Sequence, residues 1–228
     1  PASTAGLLSN LHRTGGLPVK NYTTSIFPEH ERIDGHYTRT RFQHKKMPCW
    51  ACQIGCCQMT TVTEGPYAGY VGEEPEYEGY ATCSSVIGQT DPGAAVMLAN
   101  LIDRLGFDMN ESGWVIGFAM ECYEKGLITK ADTGGLELSW GKAEAAAALL
   151  RQIAHREGFG ALFADGVRVA AERIGGEAPS YAIYTVKGNS PRTHDHRARW
   201  DELIDTCMSN TGTIECCGGF FDPRQLGL

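Results

Sequence analysis

Apolar and polar residues repeat with a helical period through the middle of the chain. The clearest example runs from Asp91-Pro92, a capping residue followed by a proline at the first helical position, to Gly106 at the expected carboxyl end. Between these ends the apolar side chains recur every three or four residues, which predicts an amphipathic helix. The same pattern predicts further helices at 112–126 with Ser112 as the cap, at 142–156 and at 160–174.

Strand signals are short and few. A β-branched run at residues 60–63 precedes the Gly65-Pro66 turn, and residues 182–186 alternate with aromatic and β-branched side chains. Four capped helices with so little strand place the chain in the all-α class. We therefore expect a mainly α-helical fold, with a short β-hairpin or strands near the cysteine-rich segment described below.

The same pattern divides the chain into three parts. Residues 1–48 are polar and irregular, which predicts an extended segment that wraps the surface, with one short helix near Pro28-Glu29. Residues 49–186 contain the predicted helices and form the main helical domain. Residues 187–228 differ in composition, and we interpret them as the truncated start of a further helical domain. The chain has no initiator methionine, so we expect a fragment or a split subunit.

Composition narrows the possible classes of protein. With 42% hydrophobic and 21% charged residues, the 228-residue chain has the composition of an ordinary globular protein. Its net charge of -7 argues against a nucleic-acid-binding surface, and no apolar run approaches the roughly 20 residues of a membrane helix. Nine cysteines, an odd number, weaken the case for a secreted disulfide framework. We therefore expect a cytoplasmic protein without a membrane span.

Three of the cysteines form a compact motif. Cys49, Cys52 and Cys56 follow the spacing C-x-x-C-x-x-x-C. Thiolates are soft ligands that suit iron–sulfur clusters, zinc and copper(I), and a [4Fe–4S] cluster takes four of them. A zinc site normally needs a second ligand pair, which does not follow here, although His44 and Cys57 lie nearby. We therefore favour a cluster over zinc and over a chance grouping of cysteines.

Two other segments carry reactive groups. Residues 73–79 concentrate glutamates around Tyr77. Such a run is most often solvated, but beside a cofactor or substrate cavity a buried carboxylate can act as a base. The sequence Thr193-His194-Asp195-His196-Arg197 can bind a metal, although an ion-paired loop is the more frequent explanation.

Taken in order, these motifs resemble those of the tungsten-dependent aldehyde:ferredoxin oxidoreductase family. The cysteine motif is followed by P-E-Y-E at 75–78 and by D-R-L-G-F-D at 103–108, which is similar to the family's D-x-x-G-L-D pterin motif. Further similar segments follow at 117–126, 135–141 and 186–197. The resemblance covers the middle part of the family's polypeptide, and it implies a fold like the helical C-terminal domains of these enzymes.

The resemblance also implies cofactors and residue roles. Family members hold tungsten through two pterins beside a [4Fe–4S] cluster, which implies a tungsten (or molybdenum) bis-pterin and a cluster ligated by the three cysteines. Asp103 and Asp108 would accept hydrogen bonds from one pterin, and Gly106 would let the chain turn toward it. Glu78 matches the family carboxylate that lies beside the metal and activates water or moves a proton, with Glu76 as the alternative.

The sequence departs from the family pattern in several places. Met97 and Asn100 stand where some members carry an E-x-x-H metal pair, so we expect that site to be absent. Glu215 falls where the family has an active-site histidine, which makes Glu78 and Glu215 the candidate acid–base pair. We expect the fourth cluster cysteine, the second pterin motif and the amino-terminal pterin-binding domain of the family to lie outside the segment given by this sequence.

The leading hypothesis is the central part of an enzyme that oxidises a small aldehyde to a carboxylic acid and passes electrons through the cluster to ferredoxin or an iron–sulfur subunit. The expected partners are the remaining domains or subunits of the same enzyme, without which we expect the chain to be inactive. The alternatives are a tungsten-dependent aromatic acyl-CoA reductase-type subunit, a non-catalytic iron–sulfur electron-transfer module, and a zinc-stabilised interaction domain.

Overall fold

The computed structural model describes residues 4–210 and residue 212, and this part of the chain is mainly helical. Its strands are β1 Gln43–Lys46, β2 Gln58–Thr61 and β3 Val71–Glu73, close to the cysteine motif, which confirms the predicted fold class. No helix in the described ranges has the length and apolar character needed to cross a membrane. The helices are α1 Leu8–Arg13, α2 His30–Ile33, α3 Gly35–Arg41, α4 Tyr77–Cys83, α5 Pro92–Leu105, α6 Met109–Glu124, α7 Ala143–His155, α8 Val167–Ile174 and α9 Trp200–Met208.

Helix α5 begins and ends as its sequence predicts. The Asp91 carboxylate accepts a hydrogen bond from the backbone N–H of Ala94 at 2.8 Å. Gly106 ends the helix at φ +73°, a left-handed conformation that favours glycine. Helix α7, predicted over 142–156, spans Ala143–His155. Helical periodicity and the residues at the ends were sufficient to locate both helices.

Two other predicted helix boundaries are wrong. Helix α6 is capped by Asp108, whose carboxylate accepts from the backbone N–H of Glu111 at 2.7 Å, whereas Ser112 lies buried within the helix. The helix predicted at 160–174 is broken at Gly166, which has φ +91° and separates a 3₁₀ turn from α8. In the first case the aspartate rather than the serine provides the cap, and in the second a glycine interrupts a continuous apolar pattern.

The small sheet is antiparallel, with the order β1-β2-β3. Strands β1 and β2 pair so that residues 47–57 form the loop of a hairpin. Strand β2 corresponds to the strand predicted at 60–63, two residues earlier. The strand predicted at 182–186 is wrong, because this stretch instead enters a turn in which the N–H of Thr185 donates to the carbonyl of Asn189 at 2.8 Å.

The core is built around α4, most of whose residues are buried. Its Tyr77 and Tyr80 are at most 1% exposed, and the helix packs against α5 and α6. Trp114 and Phe118 of α6 are fully buried in the same cluster. Truncation of a buried aromatic residue typically costs about 3–5 kcal/mol, so this packing is a major source of stability. It also fixes the residues at the amino end of α4, where the candidate site lies.

The amino-terminal segment is more ordered than its polar sequence indicates. Leu8, Leu11, Leu17 and Ile33 are buried in the main core. The prediction of an extended surface segment over 1–48 is therefore corrected for its described part. Each helix there has only four to seven residues and contributes few apolar side chains, too few to produce a periodic signal. The domain boundaries themselves stay a prediction.

Candidate functional site

A cavity of about 330 Å³ lies between the start of α4, the end of α5 and the loop that carries Arg192. It is lined by two predicted site residues, Glu78 and Asp103, and by Glu76, the alternative base. Arg192 is the one basic residue among the described residues that line it. Its volume is within the range of small-molecule sites. The fold thus brings residues that are distant in sequence to one cavity.

Glu78 lies in the first turn of α4, and an ion pair holds one of its oxygens. Nη2 of Arg192 donates to Oε1 of Glu78 at 2.6 Å, and the two side chains are only 23% and 16% exposed. The burial of Tyr77 fixes the helix at this point and leaves Glu78 half-buried at the cavity wall. Glu76 is exposed, so Glu78 is the better placed of the two candidate bases.

Asp103 and Gly106 lie at the carboxyl end of α5. The Asp103 side chain is exposed at the rim of the cavity, where partial desolvation by the neighbouring protein raises its pKa above the ordinary value of 3.8. The N–H of Gly106 donates to the Asp103 carbonyl at 3.0 Å and closes the helix. Gly106 is therefore explained by the helix end, independently of any ligand.

Asp108 does not share this cavity. Its carboxylate caps α6, and its side chain borders a smaller cavity of about 100 Å³ with a largely apolar lining. The structure therefore brings Glu78 and Asp103 together and places Asp108 apart from them. Glu215, the second predicted acid–base residue, lies outside the described residues.

Asn100 ties strand β3 to helix α5. Its Oδ1 accepts from the N–H of Glu73 at 2.8 Å, and its Nδ2 donates to the carbonyls of Glu73 and Val96, each at 2.9 Å. Met97, the other residue at the position of the family's metal pair, packs against the core. Both residues therefore have structural roles in this chain.

The cysteine motif lies in the hairpin loop 47–57. Cys49 and Cys52 are exposed, and Cys56 is half-buried. Within the described part of the chain, no three His, Cys, Asp or Glu side chains are grouped closely enough to hold a metal ion. Instead, the sulfur of Cys49 lies 3.5 Å from that of Cys57. The loop presents its thiols near one another in sequence without gathering them around a single point.

The thiols of this loop differ in their electrostatic surroundings. Hydrogen bonds from the backbone N–H groups of Gly55 and Ile54 lower the pKa of Cys52. The hydrogen bond with Cys49, followed by desolvation, raises the pKa of Cys57. Because the thiolate is the metal-binding form, the lowered pKa favours Cys52 as a ligand. The chemistry of these donors fits an iron–sulfur cluster.

Arg39 fastens the cysteine loop to the segment that leads into the cavity. Its guanidinium donates to the carbonyl of Cys56 at 3.0 Å and to Glu74 at 2.7 Å, and the Glu74 side chain is only 2% exposed. The hydrogen bond to Glu74 raises the pKa of Arg39. The N–H of Glu74 donates to the carbonyl of Gln58 in β2 at 2.8 Å. The role of this arginine could not be predicted from the sequence, because an isolated charge in a polar stretch gives no indication of a buried partner.

The His-x-His segment forms ion pairs, in agreement with the more frequent explanation. Arg197 pairs with Asp195 at 2.5 Å, and Nδ1 of His194 lies 2.8 Å from Oε2 of Glu202. Desolvation lowers the pKa of His196. The His194–Glu202 contact joins the loop to α9, and no metal site is assembled among the described residues.

Comparison with known sequences identifies related proteins. The family model described as aldehyde ferredoxin oxidoreductase, domains 2 and 3, matches residues 2–223. The aliphatic sulfonate oxidoreductase WOR-like subunit of Pyrococcus furiosus is 32% identical over 205 residues, which cover 88% of this chain and 32% of that protein. The tungsten-containing aldehyde ferredoxin oxidoreductase of the same organism is 30% identical over 225 residues, which cover 98% of this chain and 36% of that protein.

Comparison with solved structures identifies a similar fold. The active-site complex BamBC of benzoyl coenzyme A reductase, solved with 1,5-dienoyl-CoA, matches with a TM-score of 0.73 and 19% identity. The match covers 96% of this chain and 33% of that chain. At this identity the similarity establishes the fold alone. The chain spans about a third of the length of the relatives that it matches.

Proposed function

Because the chain belongs to the aldehyde ferredoxin oxidoreductase family, we propose that it forms the middle part of a tungsten- or molybdenum-pterin enzyme that oxidises small aldehydes to carboxylic acids. The observation that carries the proposal is the meeting of Glu78 and Asp103 at one cavity. The remaining domains or subunits of the enzyme complete the site. A ferredoxin or an iron–sulfur subunit in the cytoplasm accepts the electrons.

The cysteine loop is the proposed cluster site. Cys49, Cys52 and Cys56 would supply three ligands to a [4Fe–4S] cluster, and a cysteine from another part of the polypeptide would supply the fourth. The exposed thiols and the N–H groups that favour the Cys52 thiolate fit this role. Arg39 fixes the carbonyl of Cys56 and so limits the movement of the loop.

The end of α5 is the proposed pterin site. Asp103, exposed at the cavity rim, can accept hydrogen bonds from pterin N–H groups. Asp108 would contribute from the start of α6 while it caps that helix, and Gly106 forms the turn between them. When bound, the metal–pterin group would supply two-electron oxidation chemistry, and the cluster would supply one-electron transfer.

Glu78 is the proposed proton-transfer residue. Its Oε1 is held by Arg192, so we assign the proton to the other carboxylate oxygen, Oε2. A half-buried carboxylate at a cavity wall can accept a proton from water or from the substrate as the aldehyde is oxidised. Glu215, the other carboxylate that the family comparison suggests, would complete the acid–base pair.

The assay that tests this proposal uses the complete enzyme, purified without oxygen together with its partner subunits. Aldehydes of different sizes are supplied with a viologen dye as electron acceptor, and dye reduction is followed. Turnover of at least one aldehyde is the expected result. The absence of turnover with every aldehyde, in an enzyme loaded with tungsten or molybdenum, would exclude aldehyde oxidation. Reduction of an aromatic acyl-CoA by the same preparation would then identify the acyl-CoA reductase alternative.

A further inference from the structure

Arg192 occupies an unusual position in the candidate cavity. The other charged residues that line the cavity within the described part of the chain are carboxylates: Glu73, Glu74, Glu76, Glu78 and Asp103. Arg192 reaches Glu78 at 2.6 Å, and both side chains are largely buried. Partial burial of two ions has a desolvation cost that only good geometry offsets. The surrounding fold must therefore hold the two side chains in this geometry.

The backbone on both sides of Arg192 is anchored by buried side chains. The indole N–H of Trp114 donates to the carbonyl of Pro191 at 2.8 Å, and the hydroxyl of Tyr77 donates to the carbonyl of Thr193 at 2.6 Å. The N–H of Thr193 in turn donates to Oδ1 of Asn110 at 3.1 Å. The residues immediately before and after Arg192 are thus fixed to helices α4 and α6.

The anchoring continues beyond these neighbours. The Tyr22 hydroxyl donates to the carbonyl of His194 at 2.6 Å, and the hydroxyl of Ser190 donates to the carboxylate of Glu111. Loops are usually the more mobile parts of a fold. This loop instead has hydrogen bonds to the core at every residue around the arginine. Such bonds hold the guanidinium in place before any ligand arrives.

Both members of the pair are positioned by the same helix. Tyr77 anchors the Arg192 loop through its hydroxyl, and the next residue along α4 is Glu78. A shift of α4 would therefore move the carboxylate and the arginine loop together. This arrangement suits a pair whose relative geometry must be held constant, as proton-transfer groups require.

We propose that Arg192 is a positioning residue for Glu78, a role that rests on the proposed function of Glu78 in proton transfer. Its guanidinium binds Oε1 and fixes the carboxylate rotamer, so that the proton is exchanged at Oε2. Arg192 thus acts through Glu78.

The test uses the complete enzyme with Arg192→Ala, Arg192→Lys and the control Arg156→Ala. Arg156 pairs with Asp165 at 3.0 Å but is 64% exposed and does not line the cavity. We expect Arg192→Ala to lower kcat about 100-fold, the lower limit of typical general acid–base contributions, with smaller changes in KM. Guanidinium ion at a non-denaturing concentration should restore part of the lost rate, because it can fill the vacated space beside Glu78. Arg192→Lys should retain partial activity, and Arg156→Ala should match the wild-type enzyme.

A second readout does not depend on turnover. Unfolding midpoints of Arg192→Ala, Glu78→Gln and the double variant should be non-additive, because the two side chains contact each other. Additive shifts would overturn the pairing. Wild-type activity in Arg192→Ala, or a loss that neither guanidinium nor lysine relieves, would overturn the positioning role. A wild-type enzyme that oxidises no aldehyde would contradict the proposed function, whereas the non-additive shifts would still report the pair.

Discussion

The cavity wall and the cysteine loop differ in how firmly the fold holds their reactive side chains. At the cavity, Glu78 and Arg192 are held by a buried helix and by a loop that is anchored on both sides. In the cysteine loop, Trp50 is 97% exposed and Ile54 is 84% exposed. The fold of this chain alone therefore fixes the positions of the Glu78 and Arg192 side chains. The thiols of the described cysteine loop, in contrast, are exposed or half-buried and are not grouped around one point.

Arg39 provides one of the connections between the two regions. Arg39 joins the carbonyl of Cys56 to the buried carboxylate of Glu74, which lies just before α4. Movement of the loop is thus restrained at its third cysteine, whereas Cys49 and Cys52 lie in its exposed part. The following predictions test this contrast, beginning with the largest expected effect.

Substitution of a proposed cluster ligand should abolish function. In Cys52→Ser the soft thiolate is replaced by a poor ligand for iron, so the cluster should be lost and turnover should fall to background. Iron content and visible charge-transfer absorbance of the complete enzyme measure this loss. Cys57→Ser, in the same loop, is the matched control and should keep its iron. Equal iron loss in both variants would contradict the ligand assignment.

Substitution of the proposed base should impair chemistry without removing cofactors. Glu78→Gln keeps the shape of the side chain but cannot accept a proton, so kcat should fall about 100- to 10,000-fold. Tungsten and iron contents should stay unchanged. Glu76 is exposed, so the control substitution Glu76→Gln should change kcat little. If Glu76→Gln lowers kcat more than Glu78→Gln does, Glu76 rather than Glu78 is the proton-transfer residue.

Substitution of the connecting arginine should loosen the hairpin. Arg39→Met leaves the Glu74 carboxylate buried without this partner, and such a change typically costs about 3 kcal/mol. Amide hydrogen exchange in the β1–β2 hairpin should then be about 100-fold faster, while exchange in α6 stays near the wild-type rate. Arg41→Met, at the exposed end of α3, is the control. Unchanged exchange in the hairpin would show that the loop does not depend on this link.

The smallest expected effect concerns Asp103. Because desolvation raises its pKa, the folded protein binds this proton more tightly than the unfolded chain does. The associated stability is present below the ordinary pKa of 3.8 and is lost as pH rises through the folded-state pKa. In protein prepared without the pterin cofactor, Asp103→Asn should therefore increase the stability slightly at pH 7, by no more than about 0.5 kcal/mol for an exposed site.

The control variant is Asp132→Asn, which should change the stability at pH 7 in the opposite direction. Hydrogen bonds from Thr129 lower the pKa of Asp132, so its contribution is present at neutral pH and is lost as pH falls. Asp132→Asn should accordingly lower the unfolding midpoint at pH 7. The two variants are compared by thermal unfolding between acid and neutral pH. A destabilising effect of Asp103→Asn at pH 7 in the cofactor-free protein would contradict the account of the cavity rim.

Local signals in the sequence were sufficient for much of the helical framework. Helix α5 could be predicted because its cap, its apolar period and its terminal glycine all agree. The prediction for 182–186 failed because β-branched alternation describes a strand only where a partner strand is present. In residues 4–48 the short helix predicted near Pro28-Glu29 is present as α2, whereas the buried helices around it were missed because short helices bury too few residues to show a period.

The site was less predictable than the fold, because its contacts are long-range. Arg39 and Glu74 are 35 residues apart, and Arg192 and Glu78 are 114 residues apart. Periodicity carries no information about pairs of this kind. Family resemblance pointed to Glu78 and Asp103 but not to the arginines that hold their surroundings. Asp108 differs from these residues, because a local interaction, its capping of α6, explains its position without reference to a ligand.

Metal analysis of the complete enzyme, purified without oxygen together with its partners, tests the central claim most directly. We predict tungsten or molybdenum together with iron, in a ratio of about four irons per tungsten for one [4Fe–4S] cluster. Iron without tungsten or molybdenum would instead indicate an electron-transfer module. Zinc in place of iron would indicate an interaction domain and would contradict the account.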